Sequence, residues 1–457
     1  MTTGKALNGK PYAGNPHVRF DEGEVASAAT PRRGSLLYKN MLCAAALAWA
    51  ASAACAELPI LGWYGIPHDR VTPGLYRQAR DAGFTHLMQT APDRETALRL
   101  LDLARDAGIR LLLNSPCLSG EMLEESVRAF KDHPGLGLYY LHDEPNVAQM
   151  PAIGALAKRI MAMDPVHPCY LNWFGGIEPF ENPARWYGAP DLRAYIEASL
   201  REIPVRLMSF DTYPIRIPDA QHVLKGPFRT MKGAEIKPVW FETLELVREF
   251  SRARKIPFWA FALATAHPHS TYVYPTATVA SMKLQQYANL AYGAQGLQYF
   301  TFWGIAKDGE APVQDGRETY VMDRVRAVNA ELQARAFVFA GADAAGVWHA
   351  GAPLPPGTRP LPKDGLPRGV LSLEADGGVI VSHLVNGAHE YLMVVSRELF
   401  REVAVKAALS AGVMRVRPDG RMAPAAQHLG EYVLSPGEAE IFRIRKPDFM
   451  IDKTAEK

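Results

Sequence analysis

From Leu58 to Ala334 the chain repeats one alternation, a short apolar run followed by an amphipathic segment. Parallel strands joined by crossover helices produce that pattern, because each strand is covered on both faces and each helix on one. The apolar runs are Pro59–Tyr64, Thr85–Gln89, Ile109–Asn114, Leu136–Leu141, Cys169–Trp173, Val205–Asp211, Pro257–Leu263 and Gly296–Trp303. Helical spacing fills the intervals. In the segment Arg94 to Ala107, for instance, Ala97, Leu100, Leu101 and Ala104 fall on one stripe. Small turns such as Asp106-Ala-Gly108 follow, with glycine where a helix must end. Eight such units within about 250 residues predict a (β/α)8 TIM barrel over residues 57–340.

Past Arg335 the pattern changes. A proline-rich stretch, Gly351 to Pro367, precedes short runs punctuated by Asp376-Gly377, Asn386-Gly387 and Asp419-Gly420. These dipeptides signal hairpin turns, so residues 346–445 are expected to form a small antiparallel β-sandwich. The charged tail from Lys446 is expected to fray.

Residues 1–56 do not read as part of the fold. A polar lead-in and the basic Arg32, Arg33 and Lys39 come before an alanine-rich apolar run, Met41 to Ala54. Ala54-Cys55-Ala56 has the small-x-small form of a signal-peptidase site, which predicts export to the periplasm or beyond and no membrane insertion after cleavage. This segment holds six basic and three acidic residues, leaving 44 basic against 45 acidic in the remainder. Nothing in that balance favours nucleic acid as a partner. Two of the four cysteines leave with the signal, and Cys117 and Cys169 fall at opposite ends of the barrel, too far apart to bridge. No metal-ligand spacing occurs among Cys and His, so neither metal nor cofactor is expected.

The chemistry is expected at the carboxyl ends of the barrel strands. The fourth strand lies in Gly135-Leu-Gly-Leu-Tyr-Tyr-Leu-His-Asp-Glu-Pro-Asn146, where Pro145 cannot join a sheet ladder and leaves Asp143 and Glu144 at the rim. The other strand ends supply Trp63, Tyr64, Gln89, Asn114, Asn172, Trp173, Asp211, Tyr213, His267 and Trp303. Amides and carboxylates suit the hydroxyls of a sugar, and aromatic faces suit its C–H surface. Lys and Arg are nearly absent from this rim, whereas a phosphate or carboxylate ligand would call for them. Glu144, among Trp and Tyr, suits a general acid, because poor solvation raises a carboxyl pKa. The loops 174–190 and 214–238 are expected to shape the subsites.

On these residues, positions 58–303 resemble the clan A glycoside hydrolases, which include the family 42 β-galactosidases. In that clan the fourth strand ends in Asn-Glu, commonly followed by Pro, and the Glu is the acid/base. Asp143-Glu144-Pro145 is similar, with Asp in place of Asn. The resemblance implies a glycosidase that takes a carbohydrate substrate. It also implies a nucleophilic Glu closing strand seven, but Phe258 to His267 contains no carboxylate. Asp211 and Glu242 are the available replacements, Glu242 from a helix N-terminus where the dipole favours its ionised form. Adjacent Asp-Glu is also similar to the hexosaminidases of families 20 and 123, where the substrate's acetamide attacks and the Asp orients it. A third expectation is a barrel that binds sugar without cleaving it.

Overall fold

The computed structural model describes residues 56–218, 230–269, 271–304, 310–410, 412–425 and 430–444. The expected leader and signal peptide, apart from Ala56, and the tail from Lys446 lie outside the described residues. The first twelve strands in chain order are β1 Ile60–Gly62, β2 His86–Thr90, β3 Arg110–Asn114, β4 Leu136–Asp143, β5 Cys169–Phe174, β6 Met208–Asp211, β7 Ile215–Pro218, β8 Glu235–Ile236, β9 Phe258–Leu263, β10 His267–Pro268, β11 Tyr272–Tyr274 and β12 Gly296–Phe300. Eight of them close a parallel barrel in the order β1-β12-β9-β6-β5-β4-β3-β2, the fold class expected.

Local chemistry explains the helices between them. In Arg94–Asp106 the Asp93 side chain caps the first turn by accepting from Thr96 N at 2.7 Å. Its stripe Ala97, Leu100, Leu101 and Ala104 is buried, and Gly108 turns the chain at φ 70°. Inside the barrel a separate plug forms from alternate residues of the strands: Leu61, Trp63, Met88, Leu112, Leu138, Tyr170, Leu207, Trp259 and Phe261. Cys117 and Cys169 are buried and unpaired, one just after β3 and the other at the start of β5.

The long connections before β9 and after it are not plain loops. Their described parts pair as a four-stranded sheet in the order β10-β11-β7-β8, standing over the mouth of the barrel. This arrangement was not anticipated, since its strands are short and its central pairing joins Ile217 to Val273, far apart in sequence.

Two antiparallel sheets of six and three strands follow the last barrel helix, Tyr320–Ala334. Asn386-Gly387 and Asp419-Gly420 turn hairpins as expected. Asp376-Gly377 does not. The strand before it, Val370–Ala375, pairs with Val403–Leu409, and the strand after it, Val379–Asn386, belongs to the other sheet. The dipeptide carries the chain between the two layers of the sandwich.

The sandwich packs on the helix Val279–Ala291, where Ser382 Oγ donates to Ala291 O at 2.6 Å. Arg335 fixes the junction. It is fully buried and reaches the carbonyls of Val416, Arg417 and Ala439, the Tyr287 hydroxyl and Glu331. Glu331 keeps Lys283 as a second partner, so Arg335→Leu chiefly strands buried carbonyls. We expect a loss of roughly 3 kcal/mol in chemical denaturation, as for removal of one member of a buried polar network.

Candidate active site

An irregularity in β4 sets the site. Tyr140 stands opposite Tyr170 of β5, but the next pairs are His142 with Leu171 and Asp143 with Asn172. One extra residue is accommodated on β4, which is a bulge. Side chains alternate along a strand, so without the bulge His142 would follow Tyr140 into the barrel. With it, Asp143 faces inward beside Asn172.

Asn172 Nδ2 donates to Asp143 Oδ1 at 3.0 Å. Its amide oxygen accepts from Ser209 Oγ at 2.9 Å, and Ser209 accepts from Gln298 Nε2 at 2.9 Å. The Tyr170 hydroxyl bonds Gln298 and lies against Ser209. This buried network decides how Asn172 is turned, with its N–H groups toward the acids.

Asp211 ends β6 two residues beyond Ser209, on the same inward face. Its carboxyl is in hydrogen-bond contact with Glu144 and with Asn172, and the Tyr213 hydroxyl donates to Oδ2 at 3.2 Å. Gly175 lets the ends of β5 and β6 run close together, because a Cβ there would strike the Asp211 backbone carbonyl and Thr212 Oγ1. Glu144 has φ 48°, and so does Tyr64 at the corresponding end of β1. Left-handed backbone at such residues costs about 1–2 kcal/mol each, and strain of this kind is typically held at functional positions. The Glu144 N–H is anchored by Asn172 O at 2.9 Å.

Like charges in contact cannot both ionise, and the surroundings break the tie. Burial lifts the Glu144 carboxyl well above the usual carboxylate range, and the charges of Asp211 and Asp143 push the same way. Burial also raises Asp211, but hydrogen bonds from Glu144, Tyr213 and Asn172 and the charge of Lys237 draw it back. Both carboxyls are therefore held above the usual range, Glu144 the further of the two.

Asp143 is pushed up to about 7, first by burial and then by Asp211, against the Asn172 bond. A carboxyl raised on folding holds more protons native than unfolded, so its contribution erodes as pH climbs from about 4 to about 7. Asp143→Asn keeps the bond from Asn172 and removes that cost. We expect the variant to gain about 2 kcal/mol over wild type at pH 8 and nothing at pH 4, read from denaturation at each pH, after discounting the full shift for solvent access.

The remaining predicted residues divide. Tyr64 is half-buried beside the acids, whose charges join burial in pushing its hydroxyl up to about 12. Trp63 caps the barrel plug beneath them, its ring 6.2 Å from Tyr64 and 6.1 Å from Tyr140. His267 packs on Tyr274 and Phe300, and burial holds its imidazole neutral at about 4. Asn114 lies half-buried at the end of β3.

Four expectations fail on placement. Gln89 faces the helix layer, where it accepts from the Tyr76 hydroxyl at 2.9 Å and donates to Ile66 O at 2.7 Å. Trp173 also points outward, being the neighbour of inward Asn172, and joins the outer core. Trp303 packs in that core beside Val313. Glu242 is exposed on the outer side of the helix Val239–Arg254, lining a groove of about 770 Å³ with Arg193 and Arg359. Trp240, Phe241, Thr243 and Leu244 are buried in its first turns, and helical spacing turns Glu242 away from them. Glu242→Gln is expected to leave any activity within about twofold of wild type, as ordinary surface changes do.

Sequence reasoning missed Tyr140 and Lys237. Tyr140 shares the inward face of β4 with Leu138, and its hydroxyl feels Asp143 and Glu144. Lys237 reaches the mouth from the end of β8, where no periodicity announced it. Among the described residues no group of three or more His, Cys, Asp or Glu is arranged to hold a metal ion. No helix among them is long and apolar enough to cross a membrane.

No family model matches the chain, and neither does any curated protein. Solved structures do. The chain is similar to β-galactosidases from Marinomonas ef1 (11% identity, TM-score 0.43, 61% of this chain and 60% of that one) and from Halorubrum lacusprofundi (12%, 0.43, 60% and 58%). It therefore spans less than two thirds of either. It is also similar to a catalytic mutant of a GH42 β-galactosidase from G. stearothermophilus, at 9% identity and TM-score 0.54, over 86% of this chain and 99% of that one. At such identity the last likeness establishes the fold: a parallel barrel followed by antiparallel sheets.

Proposed function

We propose that the protein is an exported glycoside hydrolase in which Glu144 is the general acid/base and Asp211 the nucleophile. One observation carries this reading. The carboxyls of Glu144 and Asp211 touch at the mouth of a barrel, flanked by Tyr64, Tyr140 and Tyr213. Retaining glycosidases hold their two carboxyls about 5–5.5 Å apart, whereas inverting enzymes leave room for a water between them. Direct contact favours the retaining course.

In the first step the Asp211 carboxylate attacks the anomeric carbon while Glu144 protonates the departing oxygen. The aglycone leaves as an alcohol, and the sugar remains as an ester on Asp211. In the second step Glu144, now ionised, takes a proton from water as its oxygen attacks the same carbon. The sugar is released, Asp211 recovers its charge and Glu144 its proton. Activity then requires Asp211 ionised and Glu144 protonated, which gives a bell-shaped pH dependence of kcat/KM. Asn172 steadies both Asp143 and Asp211, and the aromatic rings offer faces to the sugar.

Because Asp143 faces the same space as Glu144, a substrate-assisted N-acetylhexosaminidase is the second reading, with Asp143 orienting the acetamide. Aryl glycosides and oligosaccharides, each tried with wild type, test these readings. Turnover of sugars lacking an acetamide supports the Glu144–Asp211 mechanism. Turnover confined to N-acetylated sugars selects the substrate-assisted one. Sugar binding without turnover of any compound leaves a barrel that only binds.

A further inference from the structure

We propose that Lys237 is a positioning residue that biases the proton of the Glu144–Asp211 pair toward Glu144, an inference that rests on the roles just assigned. Lys237 is 5% exposed, at the junction of β8 and the helix Val239–Arg254. Its ammonium donates to the Tyr274 hydroxyl at 3.2 Å and lies 5.4 Å from the ring centres of both Tyr272 and Tyr274. The Tyr274 ring meets that of Tyr213 edge-on at 5.5 Å, and Tyr213 donates to Asp211. The path from the cation therefore ends on Asp211. Among the described residues no positive charge bears on Asp143 or Glu144. A cation that favours one ionised acid of a contacting pair drives the proton to the other.

Arg216 of β7 is spent on Glu178 and Glu235. Glu181 and Glu178 act on Lys237 itself, holding it cationic against the burial that pulls it down to about 8. His269, like His267, is kept neutral by burial, at about 4, so neither supplies a rival cation near pH 7. Tyr272 and Tyr274 are raised by burial and stay uncharged there.

The test reads carboxyl protonation directly, by 13C NMR titration of the whole protein labelled at its Asp and Glu carboxyls. Asp211→Asn and Glu144→Gln assign the two signals. Lys237→Met should raise the Asp211 midpoint by about one pH unit, a tenfold change in its acidity. Lys237→Arg keeps the charge and should restore the wild-type midpoint. An Asp211 midpoint that does not move in Lys237→Met overturns the proposal. If that variant does not fold, Tyr274→Phe removes the ammonium's hydrogen-bond partner and should shift Asp211 the same way by a smaller step. No shift there overturns the proposal equally. Because no substrate is involved, the two readings separate. A shifted midpoint with no hydrolysis of any glycoside upholds the role of Lys237 and sinks the hydrolase. Full hydrolysis with an unmoved midpoint does the reverse.

Discussion

Replacing Glu144 by Gln is expected to cut kcat/KM on glycosides with poor leaving groups by about 10²- to 10⁴-fold, the usual weight of a positioned proton donor. The loss should depend on the leaving group. A dinitrophenolate departs without a proton, so the first step on a dinitrophenyl glycoside should survive nearly intact. The second step also uses Glu144, as a base toward water, and the ester on Asp211 should then accumulate. Azide needs no base, so adding it should restore turnover of the dinitrophenyl substrate and yield a glycosyl azide. A Glu144 that served only to complete the fold would show none of this pattern, since its loss would weaken every substrate alike.

The second large effect is expected at Asp211. Asp211→Asn retains the bond from Tyr213 and removes the attacking charge. Turnover should fall on the order of 10⁴-fold or more, as when a covalent nucleophile is deleted elsewhere. This loss should be the same for good and poor leaving groups, because attack on the anomeric carbon is needed for both. The variant should still bind sugar, so a fall in kcat with little change in affinity is the expected signature. Glu144 should also become easier to ionise in this variant, because the neighbouring charge that raises it has gone.

Much of this arrangement was legible in the sequence, for a physical reason. Barrel strands are buried on both faces and announce themselves as apolar runs, so their carboxyl ends could be counted and Glu144 and Asp211 placed there. Orientation was less legible. The period of two could have removed Trp173 once Asn172 was taken as inward, and the same rule could have turned Gln89 outward from Met88. Helical spacing around Trp240, Phe241 and Leu244 could likewise have set Glu242 on the surface. The bulge in β4 could not be read. His142 and Asp143 are both polar, so either parity looked sensible, and only the pairing with β5 decides between them. Lys237 was hidden for a different reason. It is placed at the mouth by the sheet β10-β11-β7-β8, whose strands are too short to leave a pattern and whose central pair is distant in sequence. The expectation of a rim nearly free of Lys and Arg therefore passed over Lys237, whose charge bears on Asp211.

The pairing of roles is tested most directly by trapping the covalent ester. Once a hydrolysed sugar is known, its 2-deoxy-2-fluoro glycosyl fluoride should inactivate the enzyme by slowing release from the nucleophile. Mass spectrometry of the digested protein should then find one added fluorosugar on the peptide containing Asp211, and none on the Asp211→Asn variant. Steady hydrolysis with no label on Asp211, or a label on another carboxylate, would contradict the account.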